Sequence, residues 1–420
     1  MENLKDKTVC VFDTSGQYTA IAQRLGRDFG KVYYCTNWQQ SFPKWNTMVI
    51  GMGVENIERV DSIWEVYDEI DLFVFPDLYF GSFQKWLREQ GKIVFGSGLG
   101  ENIEIYRDQF FELQEEVGLP VSGYEAVKGI TKLRKKLKDK ENVWIKTNLI
   151  RGNGETFNYK NSRLSESRLD EIQHSLGAYK DEAIFLICEP IDDAIEIGHD
   201  TFVIDGNVPE KVTLGLEVKD SSYVGCVQPY EKTHDVIKNI DKKMKPYFEE
   251  VNYRGFFSTE VRWNGKKGFW GDATCRCGQP PSDAQTELYD NFSEIIWEVA
   301  NGRIPEIKSK NRFVAQIIIK SSWATSEPQA VYFPEKYKNN VKLKSLMYKD
   351  GVAYYIPIDG FSMEEIGSVV ATGKTLKEAI MNAKEISKTV EGDCISINCD
   401  SLDEAQNEID NLKKFNISLF

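Results

Sequence analysis

The sequence is short of the residues that build metal clusters and covalent nucleophile systems. It has three histidines, at 174, 199 and 234. None has a partner at ligand spacing, which favours surface or satisfied structural roles over catalysis. The eight cysteines (10, 35, 188, 226, 275, 277, 394 and 399) contain no CxxC pair. A zinc site would need more His/Cys clustering. Reduced, buried thiols fit better, with Cys275 and Cys277 the pair to watch. No run approaches the ~18 apolar residues of a membrane span, and residues 1–11 lack a signal-peptide layout. These absences read as a cytoplasmic chain with no membrane association. Nor is there an excess of positive charge: 52 Lys+Arg against 65 Asp+Glu give a net charge of -13. That balance opposes non-specific nucleic-acid binding while leaving room for a locally basic nucleotide cleft.

What is present is ordinary for a globular protein, with 41% hydrophobic and 28% charged residues. A chain of 420 residues predicts two to four domains at ~100–200 residues each. No repeat, low-complexity tract or long linker separates them, so they are expected to pack together.

The first element, TVCVFD at 8–13, is a buried-strand pattern. A Thr-Ser-Gly turn, helical spacing over 17–29 and a strand at 31–35 follow it. This order predicts a βαβ unit and a parallel sheet. DLFVFP at 71–76, a helix over 81–90 and a strand at 92–95 extend it into a small open α/β domain. A helical segment over 101–117 ends at Gly118 and Pro120. Farther on, 282–299 reads as one helix with a Ser282-x-x-Gln285 capping box, and 377–390 as a helix capped by Thr375-x-x-Glu378.

Three stretches carry candidate chemistry. VWIKT at 143–147 presents Lys146 before Arg151-Gly152-Asn153-Gly154 and a strand at 155–159. Glycines let backbone N–H groups approach phosphate, and the two cations supply countercharge; a plain hairpin turn with two solvated cations fits equally. AIFLICE at 183–189 ends a buried run on Glu189. Such an acid can bind a ribose or orient an adenine amine, or simply reach water. The third is FFSTEVRWNGKKGFWGDATCRCG at 256–278, a predicted hairpin about Asn264-Gly265. Strand alternation puts Asp272, Thr274 and Arg276 on one face, with Glu260 brought opposite. That face suits Mg²⁺ on a polyphosphate. It also fits a solvated face with a cross-strand ion pair.

In their collinear order these segments resemble the ATP-grasp superfamily, and within it the glycinamide ribonucleotide synthetase (phosphoribosylamine–glycine ligase) family. The βαβ unit at 8–35, DLFVFP, KIVFGSG at 92–98, GLP at 118–120 and IGSVVATGKTLKEAI at 366–380 carry the likeness. It implies an α/β (α+β) ATP-grasp fold. Its parts would be an N-terminal Rossmann-like domain at 1–97, an ATP-grasp domain at 98–305 with a lid at about 121–190, and a small C-terminal domain at 306–420. ATP and Mg²⁺ (or Mn²⁺) are the implied cofactors, small-molecule carboxylates and amines the partners, and a homodimer stays open. By the same resemblance Lys146 contacts nucleotide phosphates, and Gly152 and Gly154 form the phosphate loop. Glu189 is the adenine-hinge acid and Glu196 the ribose acid. Lys219 is a post-hinge lysine, Glu260 and Asp272 are the metal carboxylates, and Arg276 steadies an acyl phosphate.

Departures from the family pattern fall at informative places. Arg107 stands where a phosphate-binding lysine is usual, which keeps charge and changes geometry. Asp272 replaces a glutamate, and Thr274 replaces the asparagine of the metal motif. The segment Cys277-Gly278-Gln279-Pro280-Pro281 differs at the substrate end. The implied activity is carboxylate–amine ligation through an acyl phosphate, glycinamide ribonucleotide synthetase-like. Two alternatives are a nucleotide-binding pseudoenzyme or regulatory module and an ATP-grasp kinase.

Overall fold

The computed structural model describes residues 2–36, 47–149, 156–358 and 364–413, together with Ile417. The apolar runs near the N-terminus form a five-stranded parallel sheet. Its spatial order is Glu58–Val60, Lys31–Cys35, Thr8–Phe12, Leu72–Val74, Ile93–Phe95. The central strands are buried on both faces, as crossover helices on a parallel sheet require. The order in which strands are added reverses between the parallel neighbours Thr8–Phe12 and Leu72–Val74. In open α/β sheets the carboxyl ends at that point frame a crevice, and here they deliver Asp13 and Asp77.

The second sheet is antiparallel, in the order Tyr124–Lys128, Ile184–Cys188, Val143–Thr147, Thr156–Tyr159. Helices Ile130–Leu137 and Glu166–Leu176 cover one face, with Leu133, Ile145 and Phe185 in their shared core. The other face carries Lys146.

The largest sheet has ten strands, most of them antiparallel neighbours from Ile195–Ile197 through to Val341–Leu343. The Arg254–Trp263/Gly268–Thr274 hairpin belongs to it. So does Phe313–Ser321, which pairs with Ser222–Pro229 on one side and Glu365–Gly373 on the other. Helix Asp235–Glu250 packs behind the hairpin through Ile237, Ile240 and Met244. A three-stranded sheet (Gln329–Val331, Val352–Tyr355, Leu346–Lys349) completes the fold. Among the described residues no helix is long and apolar enough to cross a membrane.

Two helices predicted as continuous are broken. The 101–117 segment divides into Asn102–Ile105 and Arg107–Glu116, because Tyr106 leaves helical geometry and the Arg107 N–H donates to Asn148 Oδ1 at 2.9 Å. The 282–299 segment divides into Pro281–Leu288 and Phe292–Ala300. Ser282 is not its cap: the helix starts one residue earlier, after Pro280, with no side-chain cap. Proline at the first helical position is already preset for the helix. The Thr375 cap forms as predicted, its hydroxyl accepting from the Glu378 N–H at 3.2 Å.

One close approach fixes the sheet beside the hairpin. A Cβ on Gly198 would lie 2.0 Å from the Thr259 carbonyl oxygen. Gly198→Ala is therefore expected to lower stability by at least ~1–3 kcal/mol, as overpacking does. A shifted urea midpoint would show it, and an unchanged midpoint would refute the contact.

Candidate active site

The hairpin turn is built locally. Asn264 Oδ1 accepts from the N–H groups of Lys266 at 3.1 Å and Lys267 at 2.9 Å, closing the loop between the strands. From there the ladder pairs Val261 with Trp270 and, across a register shift between Glu260 and Val261, Glu260 with Asp272. The bulge re-aims the strand at the position of the first carboxylate. Thr274 lies two residues on, opposite Ser258. The predicted hairpin and the Glu260–Asp272 pairing are both present.

Cations from two distant segments meet these acids. Lys146 Nζ donates to Asp272 Oδ2 at 2.5 Å and to the Gly271 carbonyl at 2.8 Å. Arg107 Nε lies 3.7 Å from Asp272 Oδ1, and its Nη1 donates to the Thr147 carbonyl at 3.1 Å. Both residues are buried, Arg107 to 2% exposure and Lys146 to 7%. Arg107 takes its place because the second helix begins there, its N–H tied to Asn148, the residue that follows the lysine's strand Val143–Thr147. Sequence reading placed Arg107 at a phosphate position without foreseeing Asn148, which has no pattern of its own.

The acid side is crowded. Burial raises the pKa of the Glu260 carboxyl, and Glu196 and Asp272 push it the same way, against the opposing pull of Lys219. Burial works against the Lys219 charge, but Glu217, Glu260, Asp220 and Glu196 outweigh it and raise the ammonium pKa. Glu196 pairs across the strands with Arg262 at 2.6 Å. Glu189 follows Ile184–Cys188, is exposed, and has Lys140 Nζ at 3.5 Å. The structure therefore brings Lys146, Arg107, Asp272, Glu260, Glu196 and Lys219 to one region. The loop residues Arg151, Gly152 and Gly154 lie outside the described residues.

Arg276 stands apart from the carboxylate pair. The strand ends at Thr274, and the Arg276 Nε donates to Glu104 Oε1 at 3.1 Å while Nη1 reaches the Tyr18 hydroxyl at 3.4 Å. Glu104 also accepts from the Cys275 N–H at 2.5 Å. Arg276 thus faces the crevice of the parallel sheet, with Asp77 in its field. Nothing in the local sequence around Glu104 marks it as this arginine's partner.

Behind the hairpin, His199 is buried between Asp241 Oδ2 (3.0 Å from Nε2) and Thr259 Oγ1 (3.1 Å from Nδ1). Tyr230 also donates to Asp241, at 2.7 Å. This is the satisfied structural histidine that its lack of ligand spacing predicts. All eight cysteines are free thiols, six of them buried.

The donor set suits a hard divalent cation. Two adjacent carboxylates, one with its charge disfavoured by desolvation and by like charges, offer the one or two protein oxygens that Mg²⁺ takes alongside phosphate. Among the described residues no group of three or more His, Cys, Asp or Glu side chains is placed to hold a metal alone.

No family model matches the sequence, and no curated protein matches it. Solved structures do. Phosphoribosylamine–glycine ligase from Thermotoga maritima superimposes with a TM-score of 0.72 at 16% identity, over 94% of this chain and 99% of that one. The biotin carboxylase domain of Hydrogenobacter thermophilus 2-oxoglutarate carboxylase, solved with MgADP and bicarbonate, gives 0.62 at 10%, over 94% and 92%. L-amino acid ligase from Bacillus licheniformis gives 0.61 at 14%, over 92% and 98%. At these identities the likeness is one of fold, and the chain has the ATP-grasp fold, with its parallel and antiparallel sheets.

Proposed function

We propose that this protein is an ATP-dependent, ADP-forming ligase that joins a carboxylate to an amine through an acyl phosphate. The observation that carries this reading is the paired floor of Glu260 and Asp272 with Lys146 and Arg107 converging on it. Glu260 and Asp272, with Thr274 as a neutral third donor, would hold Mg²⁺, and the bound ion would neutralise charge on the triphosphate. Lys146 and Arg107 bind phosphate oxygens and are kept in place by the strand and helix that bury them. Gly152 and Gly154 supply the covering loop. Glu189 and Glu196 hold the adenine and ribose ends, and Lys219 answers the negative charge beside Glu260. Arg276, which faces the crevice through Glu104 and Tyr18, would steady the acyl phosphate. Phosphoryl and acyl transfer of this kind need positioning and fixed charge more than a covalent nucleophile. The division at 97/98 and 305/306, with a lid at about 121–190, belongs to the same proposal, and a lid there would exclude water over the nucleotide.

The neutral Thr274 and the altered 277–281 segment favour one rival, a nucleotide-binding pseudoenzyme. ADP release by the full chain, screened with panels of carboxylates and amines, separates the readings. Release that requires both substrate classes supports the ligase. A carboxylate alone sufficing indicates a kinase, and Mg·ATP binding without turnover indicates the pseudoenzyme.

A further inference from the structure

The hairpin has a second face. Strand alternation turns Val261 and Trp263 away from Glu260, and the register shift, which leaves Gly271 as an extra residue between Trp270 and Asp272, puts Trp270 beside Val261 on that reverse side, where there is a cavity of about 210 Å³. Its walls come from three places in the chain: Leu119 of the GLP segment, Ile240 on Asp235–Glu250, and Trp263 and Trp270 on the two strands. Gly268 brings the strand close to the helix, since a Cβ there would meet Val236 Cγ1 at 2.3 Å. Lys266 and Lys267 of the hairpin turn stand at the mouth, both exposed. Neither ammonium has a carboxylate partner within ion-pair distance among the described residues, in a chain whose net charge is -13. Trp270 is 2% exposed, and its indole N–H is buried with no acceptor among the described residues.

We infer that this cavity is a binding site for a small aromatic carboxylate, separate from the nucleotide cleft. Each part of the ligand has a counterpart. The indole and aliphatic walls give a ring an apolar, polarisable enclosure. The two lysines, without an ion-pair partner among the described residues, supply the countercharge for an anion at the mouth through a charge-assisted contact. The volume falls below the ~300–1,000 Å³ of pockets for drug-sized ligands, which limits the occupant to one or two fused rings. The site does not rest on the ligase reading, because none of its residues belongs to that machinery.

Isothermal titration of the full chain with indole-3-acetate tests it, with indole-3-acetamide as the neutral match. Saturable one-to-one binding is expected for the acid, with the amide weaker by ~10-fold, the value of one modest charge contact. The Lys266→Glu/Lys267→Glu double variant changes exposed side chains and should keep the wild-type Tm while losing the preference for the acid. Trp263→Ala should weaken both probes. Absence of saturable binding up to millimolar acid overturns the site. Binding that ignores both the carboxylate and the lysine replacements overturns the ligand class.

Discussion

Replacing Glu260 by Gln, or Asp272 by Asn, is expected to lower Mg·ATP-dependent ADP release by ~10²–10³-fold, the usual effect of removing one preorganised charge from a transferring phosphoryl group. The two variants should differ in stability, and that difference makes the test sharp. Glu260 is half-buried beside Glu196 and Asp272, and desolvation together with those like charges puts its folded-state pKa above the ordinary carboxylate value. The native state therefore holds that proton more tightly than the unfolded chain does. The associated stability is present at low pH and is lost as pH rises from the ordinary carboxylate range through the raised pKa. Gln keeps the shape and removes the repulsion, so Glu260→Gln should leave Tm unchanged or raise it above neutral pH. Asp272 instead accepts from Lys146 at 2.5 Å. Asp272→Asn leaves a buried ammonium with the Gly271 carbonyl as its other recorded acceptor and should cost ~1–3 kcal/mol. Near-normal turnover in both variants would remove the metal assignment. A fall in Tm for Glu260→Gln with turnover intact would make the floor structural.

The parts of this site legible in the sequence are those with local cause. An Asn-Gly pair between two alternating runs is a turn signal within a few residues, so the hairpin and the Glu260–Asp272 pairing follow from it. Lys146 is legible because VWIKT is a short apolar strand with one charge in it. The partners that hold these residues are remote. Asn148 and Arg107 are 41 residues apart in the chain, and Glu104 and Arg276 are 172 apart. No periodicity records such contacts. Helix ends fail for the same reason. Tyr289 ends Pro281–Leu288 by turning its ring into the core and sharing a 2.6 Å hydrogen bond with Thr213, a tertiary contact that overrides a good helical pattern. The strand Glu58–Val60 is three residues long with one buried side chain, too little for any period to show.

The partly buried ion-pair network around Glu287, in which Lys342 is closed off from water, carries the largest expected effect on stability. Glu287 on Pro281–Leu288 takes both Arg27 nitrogens, Nη2 to Oε1 at 2.7 Å and Nη1 to Oε2 at 3.2 Å. It also accepts from Lys342 Nζ at 2.5 Å. Arg27 closes the helix Thr19–Gly26 and Lys342 lies on Val341–Leu343, so one carboxylate ties the first βα unit to the C-terminal strands. The Lys342 side chain is 3% exposed, and burial lowers its pKa even with Glu287 present. Burial alone would raise the Glu287 pKa, but Lys342 and Arg27 reverse the shift and hold it below its ordinary value. Glu287→Ala would leave Lys342, in a site almost closed to water, facing Arg27 with only the more distant Asp283 carboxylate in its field among the acids recorded as acting on it. Breaking such a pair from one side costs ~3–5 kcal/mol. The stranded lysine should then shed its proton on folding while the unfolded chain keeps it, so the variant's stability should climb as pH rises toward the ordinary lysine pKa. Adding Lys342→Met removes the stranded charge and should recover part of the loss, although it deletes a second polar group. Urea unfolding of the two variants at neutral and alkaline pH measures all three expectations. A cost below ~1 kcal/mol for Glu287→Ala, within the range of exposed pairs, or a double variant no more stable than the single one, would show that this network does not secure the helix that follows Arg276.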